Sequence, residues 1–235
     1  LRADERARTL EQYARHMLAG DEAARKGDWA GATKGYRDAA ALRVDRGQAE
    51  ELAARVTVKP YAVSLKTVVV TPLRPNRTPW VGPSDRRLDR IQAVLAERWS
   101  DPLAGRVLLA LNETPQVNRP DLVVEVTLPN GQRLVTGGER AIYSTPRAVF
   151  VIAANAFDKG KVVFRVFHRL AAGQAEDIGY AEAAVGELVS KRTLLLQDRA
   201  VGALELTVDP AEGSRAGTFT GLTPVTPPPG GARRP

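Results

Sequence analysis

DLVVEVTLPNGQRLVT, residues 121–136, is the stretch that decides how the chain folds. Leu122, Val124, Val126 and Leu128 alternate with Val123, Glu125 and Thr127, the period-two pattern of a strand with one buried face. Pro129-Asn130-Gly131 then turns the chain: Asn-Gly tolerates the positive φ angles of a tight hairpin, so 132–136 should return antiparallel. Downstream, 148–153 (AVFVIA) and 161–167 (KVVFRVF) flank the turn-rich segment 155–160 and read as a second hairpin. Segments 194–196 and 203–208 supply two further strands before Asp209-Pro210 stops the pattern. Upstream, 61–71 (YAVSLKTVVVT) is β-branched and alternating, and reads as the first strand. These runs make an antiparallel β-sandwich over 57–209.

The sandwich is preceded by a helical unit over 1–56. Segment 3–26 lacks Pro and places Leu10, Tyr13, Ala14, Met17 and Leu18 at helical spacing. Gly27-Asp28-Trp29 breaks it, and Asp28 caps a second helix expected to run from Trp29 through Gly47 to about Ala54, giving a helical hairpin. After the first strand, about 72–120 exceeds what a strand connection needs and reads as a helical insertion. Its prolines make 73–83 irregular, and Ser84 is placed to cap a helix over 85–99, with Leu88, Ile91, Val94 and Leu95 as the apolar stripe. Segment 106–111 is open between helix and strand. The tail, 210–235, is rich in Pro, Gly and Thr and is expected to be disordered, with Pro227-Pro228-Pro229 as a spacer or polyproline docking segment. The fold class is α+β.

The strand order resembles the C2 domain, the lipid-binding sandwich first described in protein kinase C and synaptotagmin. Asp121, in Arg119-Pro120-Asp121-Leu122, stands where that family places an Asp before a strand, and Asp177-Ile178-Gly179 matches its later Asp-apolar-Gly. Val166-Phe167-His168-Arg169 stands where the family carries an Asp-x-Asp run. The resemblance implies a C2-like sandwich with the insertion at its ligand-binding end. Calcium in such a site takes roughly 6 to 8 oxygen ligands. With His168 and Arg169 in place of acids, the resemblance implies a calcium-independent member with no metal and no cofactor. Asp121 and Asp177 remain as residual family positions, expected to cap loops or pair with Arg169. In the helical unit, Gly20, Gly27, Asp28, Trp29, Ala32, Tyr36 and Ala39 resemble a single tetratricopeptide repeat, in which small residues let the helices approach while Trp29 and Tyr36 fill the space between. A lone repeat must lean on the sandwich, a partner or another copy.

Composition narrows the function. The chain has no Cys, which excludes disulfides, thiolate zinc sites and a thiol nucleophile. Its only histidines are His16 and His168, and no catalytic signature accompanies them, so no enzyme is expected. The formal charge is +7, and its surplus lies before residue 121: segment 57–120 holds 10 basic and 5 acidic residues. Arg74, Arg77, Arg86, Arg87 and Arg90 beside Trp80 compose the expected partner-binding surface, with Trp29 and Tyr36 as a second one. The same Arg-aromatic pairing suits nucleic acid, but the motifs of that class are lacking. The expected function is a non-enzymatic adaptor or scaffold that binds a protein partner or a cell-envelope assembly. The alternative is peripheral binding of anionic lipid through the sandwich loops; a homo-oligomer also fits. Ala- and Arg-rich composition suggests a bacterial-type chain. A start at Leu1 rather than Met suggests a removed signal peptide, hence periplasm or envelope, with cytoplasm as the alternative.

Overall fold

The computed structural model describes residues 2–74, 76–81, 85–114, 119–170, 174–191, 193–196 and 201–225. Three helices open the chain: α1 (Arg2–Arg25), α2 (Trp29–Ala41) and α3 (Arg46–Val56). The expected long second helix is two, because the chain leaves α2 through Arg43 at φ 57° and Asp45 accepts the Gln48 N–H at 3.1 Å to cap α3. The helices approach closely where side chains are small. A Cβ on Gly20 would stand 2.7 Å from the Tyr36 ring, and Ala32 and Ala39 are wholly buried.

Strand β1 (Lys59–Val70) leads into the insertion, which holds two helices, α4 (Arg86–Glu97) and α5 (Pro102–Asn112). Asp85 caps α4 by accepting the Arg87 N–H at 2.7 Å; the Ser84 cap lies outside the described residues. The segment left open at 106–111 is helical, led by Asp101, which caps α5, and Pro102 in its first turn. The remaining elements are β2 (Asp121–Thr127), β3 (Arg133–Thr136), β4 (Glu139–Arg140), β5 (Tyr143–Ser144), β6 (Ala148–Ala154), β7 (Lys161–Arg169), β8 (Ala175–Ala184), α6 (Val185–Lys191), β9 (Thr193–Leu196), β10 (Val201–Pro210), β11 (Phe219–Thr220) and β12 (Leu222–Pro224).

Two antiparallel sheets face each other, so the α+β class holds. One runs β11-β6-β1-β10-β9 with β5 on β1, the other β12-β3-β2-β7-β8 with β4 on β2. The β2–β3 hairpin turns at Gly131 with φ 81°, as Asn-Gly predicts. The expected β6–β7 hairpin is not one: β6 pairs β1 and β7 pairs β2, so 155–160 is an arch between sheets. Between the layers, the Phe150 and Phe164 rings meet with centroids 6.4 Å apart, among Leu65, Val124, Leu134 and Leu206. Burying such side chains stabilises by roughly 1.5–3 kcal/mol each and supplies most of the driving force for the fold.

The tail expectation fails over 211–225. Phe219 and Thr220 pair with Phe150 and Val149 of β6, and Leu222 to Pro224 pair with 134–136 of β3. Gly221, at φ 69°, makes the crossing between sheets, where a Cβ would run into the Arg147 carbonyl oxygen. Pro and Gly do not prevent order here because two edge strands supply the hydrogen-bond partners. The polyproline segment 227–229 lies outside the described residues.

Registers set the poles. Tyr61 lies opposite Pro210 and Ile152, while Val70 lies opposite Val201. The helical unit, entering at Lys59, and the insertion, leaving after Val70, therefore occupy opposite ends of the sandwich. The helical unit is fastened there by Asn155, whose side-chain amide donates to the Val56 carbonyl at 3.1 Å, by Ala156 N–H to the Arg55 carbonyl at 3.1 Å, and by Phe157 stacked on Trp29.

Candidate functional site

The insertion pole is the part of the molecule with exposed apolar side chains grouped on neighbouring elements. Helix α4 turns only part of its apolar stripe inward. Its buried positions are Asp89, Gln92 and Ala96, with Ala96 against Val69 and Ala203 on the outer face of β1 and β10. Of the stripe Leu88, Ile91, Val94 and Leu95, only Leu95 packs against the sandwich core, while Ile91 and Val94 are 49% and 55% exposed. On α5, Leu108 enters the core and Leu103 is 66% exposed, with Val107 and Leu109 also exposed. Arg86, Arg87, Arg90 and Arg98 of the α4 segment and Arg106 of α5 are exposed, and among the described residues none of the five forms an ion pair. Asp85 and Asp101 are occupied in capping helices, leaving Glu97 as the exposed carboxylate within the two helices.

The wall opposite α4 is a stiff turn. Arg74 N–H donates to Thr78 O at 2.9 Å, Arg77 N–H donates to Arg74 O at 2.8 Å, and Arg77 has φ 64°. The Arg74 guanidinium donates to both oxygens of Glu176 on β8, at 2.6 and 2.7 Å, and also to the Pro79 and Trp80 carbonyls. This fork-on-carboxylate geometry ties the insertion to the second sheet. The hydrogen bond from Arg74 holds the Glu176 carboxyl below its ordinary value, against the opposing effect of burial.

Two parts of the sequence expectation are corrected. Trp80 is 3% exposed and sits in the sandwich core, its indole N–H donating to the Thr71 carbonyl at 2.8 Å, so it offers no face to a partner or a base. Arg74, spent on Glu176 and two carbonyls, is a fastening. Arg77, Arg86, Arg87 and Arg90 are exposed as expected, and the exposed large apolar residues of α4 and α5 are Ile91, Val94, Leu103, Val107 and Leu109 rather than Trp80. Trp29 is half-buried and stacks on Phe157, while Tyr36 is buried and donates to Asp21 at 2.7 Å; burial, with that hydrogen bond, pushes its hydroxyl up to about 12. The outward turn of Ile91 and Val94 was not foreseen from the sequence, because a stripe of ordinary width does not say how much of itself the sheet will cover.

The residual family positions are each committed to an arginine. Asp121 accepts from Arg169 at 2.8 Å, as expected, whereas Asp177 pairs with Arg165 rather than Arg169. His168 is buried in β7, and its Nδ1 accepts the Asp121 backbone N–H at 2.9 Å. Among the described residues no group of three or more His, Asp or Glu is placed to hold a metal ion, and no helix is long and apolar enough to cross a membrane.

No protein-family model matches the chain, and no curated protein matches it. Among solved structures it is similar to C2 domain A of plant Extended Synaptotagmin 1, at 15% identity over 64% of this chain and 92% of that one, with a TM-score of 0.37. It is also similar to human GIVD cytosolic phospholipase A2, at 11% identity and TM-score 0.41, covering 69% of this chain but 18% of that one. A third is the SMP domain with C2 domains A and B of Extended-Synaptotagmin 2, at 10% identity and TM-score 0.35, covering 70% of this chain and 30% of that one.

Proposed function

We propose that the chain is a non-enzymatic docking module that seats the α4–α5 pole on an anionic membrane surface, leaving the helical unit at the far pole for a protein partner. The observation that carries this is the set Ile91, Val94, Leu103 and Val107, exposed on adjacent helices whose segments also carry five exposed arginines without ion pairs among the described residues. Apolar side chains that reach the acyl boundary while Arg heads remain at the phosphates is the arrangement of an interfacial amphipathic helix. The surplus positive charge of 57–120 belongs to this pole, and the pairing of Asp121 and Asp177 with arginines supports a calcium-independent reading.

A protein partner on the same face is the second reading, since Arg and large apolar residues also anchor protein interfaces. Cosedimentation with vesicles separates the two. The protein should pellet with phosphatidylglycerol vesicles, less so at high salt, equally with calcium or chelator, and not with phosphatidylcholine vesicles. The triple variant Ile91→Ser, Val94→Ser, Leu103→Ser, altered only at exposed positions, should stay folded and remain in the supernatant. Wild-type protein that stays in solution at low salt would reject the membrane reading and favour the protein partner.

A further inference from the structure

Beside its outward face, α4 lines a cleft against the turn of 71–79. The cleft has two lobes that share Leu73 and Ala93. One, of about 380 Å³, is walled by Pro72, Leu73, Ala93, Ala96 and the Trp99 ring, with Glu97 at its edge. The other, of about 490 Å³, is lined by Arg77, Arg86 and Arg90, with the buried Asp89 and with Thr78 and Pro79. Each falls in the size range of small-molecule sites, roughly 300–1,000 Å³. From Arg86 to Glu97 the helix rises about 1.5 Å per residue, so the two lobes together run about 16 Å.

The lobes differ in chemistry in an ordered way. The cationic lobe lies at the N-terminal end of α4, where the helix dipole also favours an anion, and the apolar lobe lies toward the C-terminal end, where Glu97 disfavours one. The opposing wall is held in place by Arg74 on Glu176. We propose that this cleft binds a single-chain anionic amphiphile, its hydrocarbon chain between Leu73, Ala93 and Trp99 and its anionic head against Arg77, Arg86 and Arg90. Charge complementarity selects the occupant: an apolar peptide leaves three cations unused, and a free inorganic anion leaves the apolar lobe empty. The inference goes beyond membrane docking, because it concerns the α4 stripe of Arg86, Arg90, Ala93 and Glu97 rather than the outward Ile91 and Val94.

Dodecanoate below its micellar concentration is the probe, added without vesicles and followed by calorimetric titration, tryptophan fluorescence and melting temperature. It should bind at least tenfold tighter than dodecyltrimethylammonium, which has the same chain and the opposite head. Arg86→Glu with Arg90→Glu, both exposed positions, should reverse that preference, and Ala93→Phe should block both ligands by filling the junction of the lobes. Equal affinity for the two head groups, or unaltered dodecanoate binding in the charge-reversed variant, would overturn the proposal. The source of the amphiphile is read separately. Displacement of dodecanoate by phosphatidylglycerol vesicles assigns a bilayer lipid, and binding that persists on vesicle-bound protein assigns a free amphiphile; both are the proposed chemistry. Because the titration contains no membrane, its failure is distinct from a failure of vesicle cosedimentation.

Discussion

Gln92 is wholly buried on the inward face of α4, and among the described residues neither its Nε2 nor its Oε1 has a hydrogen-bond partner. An amide taken from water without compensation costs roughly 1–3 kcal/mol in proteins. The expected outcome for Gln92→Leu, a change of similar volume, is therefore a more stable protein by about that amount, read as a higher urea midpoint at unchanged slope. A destabilised variant would mean that an ordered water or a neighbouring group satisfies the amide. Helix α4 sits on the sheet with few large side chains facing inward. Its inward face is held partly by the small side chain of Ala96 on Val69 and Ala203, so the apolar residues left outside are surplus to the fold and available for binding.

At the scale of elements, the edges of the two sheets decide how much of the chain is needed. On one side, α6 links β8 to β9; on the other, 211–225 stitches β6 to β3, with Val225 N–H donating to Arg133 O and Val151 N–H to Thr218 O, both at 2.9 Å. Uncovered edge strands are sites of intermolecular pairing. Truncation after Pro210 should therefore destabilise the sandwich on the order of 2–4 kcal/mol, through loss of Leu222 from the core and of these hydrogen bonds, and promote aggregation visible by light scattering. A truncated protein with an unchanged melting temperature would reject this role. Strands such as 122–128 and 161–167 were legible because alternation is a local property of the sequence. That β6 and β7 lie in different sheets was not, since the 155–160 arch and a long hairpin loop have the same composition. Neither were β11 and β12, which are two and three residues long and exist only through their partners. The helical insertion was legible from its length and its proline breaks, but Trp80 was misplaced, because an aromatic beside arginines looks the same from sequence whether its ring is inside or out.

For the whole molecule, the sandwich separates the helical unit from the insertion. Strand β1 has 12 residues, which at about 3.3 Å each sets the insertion roughly 40 Å from the helical unit. A chain seated by α4 and α5 would hold α1–α3 well clear of the surface. The helical unit has little core of its own: Ala32, Tyr36, Ala53 and Val56 in one cluster, Ala39, Ala40 and Ala49 in another. A unit this small and Ala-rich buries too little apolar surface to offset its conformational entropy. Its order should thus depend on the junction at Asn155, Phe157 and Trp29, with Arg55 over the Phe157 ring at 4.8 Å. Residues 2–57 alone should lack a cooperative thermal transition. In the full chain, Phe157→Ala should remove hydrogen-exchange protection from α1–α3 while β1, β2 and β7 keep theirs, since Phe157 is exposed on the sandwich side and its loss opens no cavity in the main core. A cooperatively folding 2–57 fragment, or protection lost equally from helices and strands, would show instead that the helical unit is an independent domain or that the two units unfold as one.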